Sequence, residues 1–194
     1  MVLYSSLIIF LTAFQCEEEV IEPDALVENN DLVRIADDKT SFSVGEFIHI
    51  SAEISNRQLT NNNLDLLLTD YMVQENKALY YSLGLFRIDA ANKQIPVVIS
   101  EVSTVDGRIE FSDQSAFFTV ASPLNESNDT FRSDIGIKLE EAGAYILLPE
   151  TARFPDNKHF IVFDLYGLAE QGSLQLNTSI LNADEDGIYR FTVE

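Results

Sequence analysis

An all-β fold of short antiparallel strands, arranged as a sandwich or barrel, is what this sequence of 194 residues predicts. Three observations point there. Apolar and polar residues alternate with a period of two, most cleanly in Phe47-Ile48-His49-Ile50-Ser51-Ala52-Glu53-Ile54, the spacing of a half-buried strand. Roughly ten such runs recur along the chain, and Gly, Asn and Asp break them at short intervals. Thirteen Phe and seven Tyr, with no Trp, supply bulk for one core, and the length fits one domain with appendages.

The N-terminus comes first. Residues 1–15 carry no charge and are mostly apolar. A membrane-spanning helix takes about 20 apolar residues, so this run is too short to cross; it suits the apolar region of a secretory signal. Cys16 follows directly, then Glu17-Glu18-Glu19. Burying a thiol beside three carboxylates is costly, because unpaired carboxylates resist leaving water. The order of apolar leader, cysteine and abrupt acid resembles the lipoprotein signals of Gram-negative bacteria, and the acidic run resembles the surface-export signal of Bacteroidota lipoproteins. The resemblance implies a signal peptide over 1–15, acylation of Cys16 as residue one of the mature chain, and an outer-membrane lipoprotein exposed at the cell surface. Its membrane partner would be reached through that anchor, which is stable because more than one acyl chain is buried.

Residues 16–31 are expected to form the lipidated cysteine plus an acidic tether. Positions 17–31 hold Glu17, Glu18, Glu19, Glu22, Asp24, Glu28 and Asp31 and no base; Arg34 is the first cation. Low hydrophobicity and self-repulsion argue against a packed element, and such a segment reaches about 50 Å when extended.

The domain is expected over 32–194. Gly45 precedes the alternating run already quoted, and further strands are predicted at 79–89, 94–100, 108–111, 116–121, 131–139, 144–148, 160–166, 173–181 and 188–193. Turns fall at Ala91-Asn92-Lys93, Asp106-Gly107, Glu141-Ala142-Gly143 and Glu185-Asp186-Gly187. Asn63 also has the form of a helix cap, with Leu64, Leu68, Tyr71 and Met72 on one face of a turn or two. Two turns share a pattern: Glu141-Ala142-Gly143-Ala144-Tyr145-Ile146-Leu147 and Glu185-Asp186-Gly187-Ile188-Tyr189-Arg190-Phe191 both read acid-x-Gly-x-Tyr-x-apolar. Glycine permits positive φ, and the tyrosine hydroxyl is placed to bond nearby backbone. The pattern resembles the penultimate and final hairpins of immunoglobulin-like sandwiches and implies an immunoglobulin-like antiparallel β-sandwich. The inter-sheet cysteine pair and core Trp of antibody domains have no counterpart here.

Composition excludes more than it proposes. A net charge of −20, with the bases scattered singly, repels phosphate backbones, so nucleic acid is not an expected partner. With one cysteine there is no internal disulfide and no Cys-x-x-Cys motif. Nucleophile elbows, zinc helices and phosphate loops are absent from the sequence. His49 sits on the polar face of its strand and His159 opens another; both read as solvated strand histidines, so no catalytic residue is assigned. The best metal candidate is calcium at Asn182, Asp184 and Asp186, where oxygens recur at every second position before Gly187. Val193 stands where a calcium loop of that type needs its final glutamate, and a polar hairpin turn explains the same residues. Asn128-Asp129 with Asp134 is weaker. Three Asn-x-Ser/Thr triplets begin at Asn125, Asn128 and Asn177, and 122–129 reads as an exposed polar loop.

The expected function is that of a non-enzymatic envelope lipoprotein whose sandwich binds a protein or envelope component, with no cofactor assigned. A glycan is a less favoured ligand, since without Trp only rings such as Tyr71, Tyr80, Tyr81 and Tyr166 could serve as sugar platforms. The alternatives are a carboxylate-based hydrolase on a β scaffold and a calcium-stabilised adhesion module.

Overall fold

The computed structural model describes Pro23 and residues 25–72, 77–111, 117–153, 160–165 and 173–194. The expected signal peptide, Cys16, the first part of the expected tether, His159 and Tyr166 lie outside the described residues. Within them the chain forms β1 (Ala25–Glu28), β2 (Val33–Ile35), β3 (Ser41–Phe42), β4 (Phe47–Ser55), β5 (Arg57–Leu59), β6 (Asp65–Leu67), β7 (Ala78–Ile88) and β8 (Gln94–Pro96). It continues with β9 (Val102–Asp106), β10 (Arg108–Phe111), β11 (Phe117–Asn125), β12 (Thr130–Lys138), β13 (Gly143–Pro149), β14 (Ile161–Leu165), β15 (Leu174–Thr178) and β16 (Tyr189–Val193). Only three single 3₁₀ turns interrupt the strands among the described residues. The fold is all-β, as the alternation predicted.

Two layers face each other. One is β2-β4-β12-β9; the other centres on β7, with β11 and β8 along one edge, β13 and β14 along the other, and β16 and β3 beyond β13. Two segments stitch the layers together. β11 pairs with β7 over Phe117–Pro123 and then with β12 at Leu124 and Asn125. β9 pairs with β12, but after Gly107 the same segment continues as β10 and pairs with β11. Asp106-Gly107 is therefore a turn, as expected, and it makes a corner between the layers. On the far side β14, β15 and β1 form a wing, and a bridge from Val33 to Ile180 links β2 back to the end of β15. The sandwich is closed on both sides.

The core follows from the sequence pattern. Ile48, Ile50, Ala52 and Ile54 all point inward and are buried, the face that alternation assigned them. Opposite lie Leu79, Tyr81, Leu83 and Leu85 of β7. β7 is buried on its other face too, where Phe86 packs with Ile146, Leu148 and Ala152. Burial on both faces accounts for its nearly unbroken apolar sequence.

One polar network crosses the core. The Ser122 hydroxyl donates to Ser133 Oγ at 2.9 Å, and the Tyr81 hydroxyl lies 3.2 Å from the same atom. Burial pushes the Tyr81 hydroxyl pKa well up, and burial likewise raises Tyr145 and Tyr189. Tyrosine in an unfolded chain ionises near about 10. Groups with raised folded values contribute stability that is complete below that pH and is lost as pH climbs towards the folded values. The domain should thus unfold cooperatively in alkali, with tyrosinate absorbance and loss of near-ultraviolet dichroism rising together. Smooth tyrosine titration with the dichroism intact would contradict it.

One sequence expectation is corrected by the structure, and one segment that the sequence left open between strand and helical turn is resolved. Ala25–Glu28, placed in the tether, is a strand: it runs parallel to β15, and Val27 is 1% exposed. Its acids had masked an alternation of Ala25 and Val27 that the sheet uses. The segment from Asn63 holds no α-helix and only a single 3₁₀ turn. Asn63 takes a positive φ of 59° in the turn joining β5 to β6, so Leu64 is exposed while Leu68 and Met72 are buried from a 3₁₀ turn, Leu68–Tyr71.

Candidate functional site

The β5–β6 hairpin stands off the main sheet at one end of the sandwich. Asn56, 4% exposed, holds its base. The Asn56 side-chain amide donates to Thr69 Oγ1 at 3.1 Å and Asp129 Oδ1 at 2.9 Å, and its carbonyl accepts the Thr69 N–H at 3.0 Å. Leu68 plugs the space beneath and is fully buried. At the tip, Thr60 and Leu64 close the turn through both backbone and hydroxyl. A short two-stranded ribbon would not hold its place alone; these ties fix it.

Between this hairpin, the end of β1 and the outer face of β4 lies a cleft of about 820 Å³. Most of its polar groups are pinned. Gln58 donates to the Ser55 carbonyl at 2.7 Å and accepts from Asn29 at 3.3 Å. Asn61 donates to Glu28 at 3.0 Å, and Arg57 pairs with Asp65 at 2.5 Å. Leu59 at the rim is 61% exposed and Leu64 at the hairpin tip 65%. A second pocket of about 380 Å³, lined by Arg34, Ser51, Ala52 and Arg132, shares Leu32 and Glu53 with the cleft. Together they make one groove.

No family model and no curated protein matches the chain. Among solved structures it is similar to the type II cohesin dyad from the adaptor ScaA scaffoldin of Acetivibrio cellulolyticus. That likeness covers 87% of this chain and 48% of the other, at 12% identity and a TM-score of 0.34. The chain thus spans about half the length of that structure, and a likeness this distant decides nothing about function.

The calcium candidates Asn182, Asp184 and Asp186 do not line the groove. Asp184 works as a turn acceptor: Oδ1 takes the N–H groups of Asp186 and Ile188, and Oδ2 takes Arg190 Nε at 2.7 Å. Partial burial acts to raise its carboxyl pKa, but the Ile188 N–H, Arg190 and the Asp186 N–H outweigh it and hold it below the usual carboxylate range. Among the described residues no three His, Cys, Asp or Glu side chains gather as a metal site. Asp129 is bound to Asn56 and Asp134 to His49 Nδ1 at 3.1 Å, so they belong to separate arrangements. Asn125 and Asn128 accept bonds from Ser127 and Thr130 within their own turn. Tyr80 and Tyr81 are buried, which removes them as sugar platforms, and no aromatic ring lines the groove.

Sequence reasoning missed Gln58, Leu59, Arg34 and Glu53 as a set. They lie on three strands, and only Leu59 next to Thr60, an apolar residue leading into a polar turn, hinted at an exposed rim.

Proposed function

We propose that this chain is a non-catalytic binding module, exported and held at the outer membrane by an acylated Cys16, that takes its partner in the cleft under the β5–β6 hairpin. The observation that carries the reading is the cleft's lining: amide and hydroxyl groups fixed by their own hydrogen bonds, beside Leu59 left in water. Pinned polar groups beside apolar surface are what recognition sites use to orient a ligand. A two-carboxylate hydrolase finds less support. Of the cleft carboxylates, Glu28 and Asp65 are engaged by Asn61 and Arg57, which leaves Glu53.

The test is a photo-cross-linking residue at Leu59 in the native host, with one at Asn92, in the β7–β8 turn, as control. A discrete adduct from Leu59 and none from Asn92 is expected. Equal labelling at both sites would overturn the cleft, and Cys16→Ser protein that still fractionates with membranes would overturn the anchor.

A further inference from the structure

In a chain with 32 acids and 12 bases, an arginine has carboxylates in excess to pair with. Arg57, Arg87, Arg108, Arg132 and Arg190 all pair with one. Among the described arginine side chains Arg34 is the exception: its one bond is a long one, 3.3 Å, from Nε to the Asp31 carbonyl. The Glu53 side chain likewise has no hydrogen bond or ion pair among the described residues, and the two line the same pocket. Strand register places them. Arg34 lies opposite Ser51, and Glu53 sits two residues along on the same face of β4, with Arg132 opposite it on β12. Such diagonal neighbours are about 7–8 Å apart at Cα, within reach of two long side chains, yet each keeps its charge free for the pocket.

We propose that this groove takes an extended polypeptide segment carrying one acidic and one basic side chain, the acidic one on Arg34 and the Ser51 hydroxyl, the basic one on Glu53. The inference rests on the cleft being the binding site and names its ligand class. Arginine's planar fork matches a carboxylate in two parallel bonds. A net charge of −20 repels a second copy of this chain or any purely acidic ligand, whereas a segment with balanced charges approaches freely. The amides of Asn29 and Gln58 beside Leu32 and Leu59 suit a peptide, and no ring is present for a sugar to stack on.

Three probes test it by NMR titration: acetyl-Leu-Lys-Gly-Glu-amide, the same peptide with Gln for its Glu, and the same with Gln for its Lys. The doubly charged peptide should bind about ten-fold more tightly than either neutralised one, the effect of one charge-assisted contact. Arg34→Gln should erase the preference for the acidic peptide and keep the preference for lysine; Glu53→Gln should do the reverse. Both side chains are exposed, so both variants should fold. Equal affinity for all three peptides, with Asn29 and Gln58 resonances still shifting, would overturn the charge pairing and spare the cleft. Absence of any shift would overturn the peptide proposal, while the Leu59 adduct reports separately on the cleft.

Discussion

Gly107→Ala is expected to lower the stability of the domain by roughly 3 kcal/mol, from about 1 for a side chain at positive φ and about 2 for forced overpacking. Gly107 has φ +78°, and a Cβ there would fall 2.4 Å from the Ala121 carbonyl oxygen and 3.0 Å from Ser133 Cβ. The first neighbour is backbone and cannot swing aside. The second carries the hydroxyl shared by Tyr81 and Ser122, so relief by movement would break the polar network that crosses the core. Gly45→Ala is the matched control, because its φ is +88° with nothing within 4 Å of the added atom. It should cost only the conformational part, about 1 kcal/mol. Urea denaturation of both variants separates the two contributions, and a Gly107 variant no weaker than the Gly45 variant would show that the corner is not close-packed. The effect should reach the groove as well. Asp106, next to the corner, holds Arg132 at 3.2 Å.

What the sequence revealed depended on how far each signal was local. The alternation in 47–54 named the inward face of β4 correctly, because that strand is buried on one side and its period survives intact. The Tyr145 hydroxyl does bond nearby backbone, the Glu141 carbonyl at 2.6 Å, whereas its sequence twin Tyr189 reaches Lys39 in a distant segment. Identical local patterns were resolved differently by tertiary neighbours. β2, β3, β5 and β6 escaped because two or three residues carry no measurable period, and β9 because Val102-Ser103-Thr104-Val105 leaves Val105 in solvent. The groove was invisible for a related reason. An unpaired arginine is defined by the absence of a partner in space, and nothing in the order of residues around Arg34 announces that.

The same limit sets the largest remaining effect, Val27→Asp. Burying a lone carboxylate at a position 1% exposed costs several kcal/mol, and β1 has a cheaper way out. It is held by a four-residue parallel ladder to β15 and by the Asn61 N–H donating to the Leu26 carbonyl. Val27 burial contributes roughly 1.5–3 kcal/mol, so peeling the strand away should cap the loss near about 3 kcal/mol and leave the rest of the sandwich standing. Glu28 and Asn29 would leave with it, taking one wall of the cleft. Hydrogen exchange should therefore accelerate at Gln175, Leu176 and Asn177 while β4 and β12 stay protected, and the Leu59 adduct should disappear. If exchange in β15 does not change, residues 25–28 behave as the acidic tether that their charge suggested. In that case the cleft has only its hairpin and the outer face of the sheet for walls.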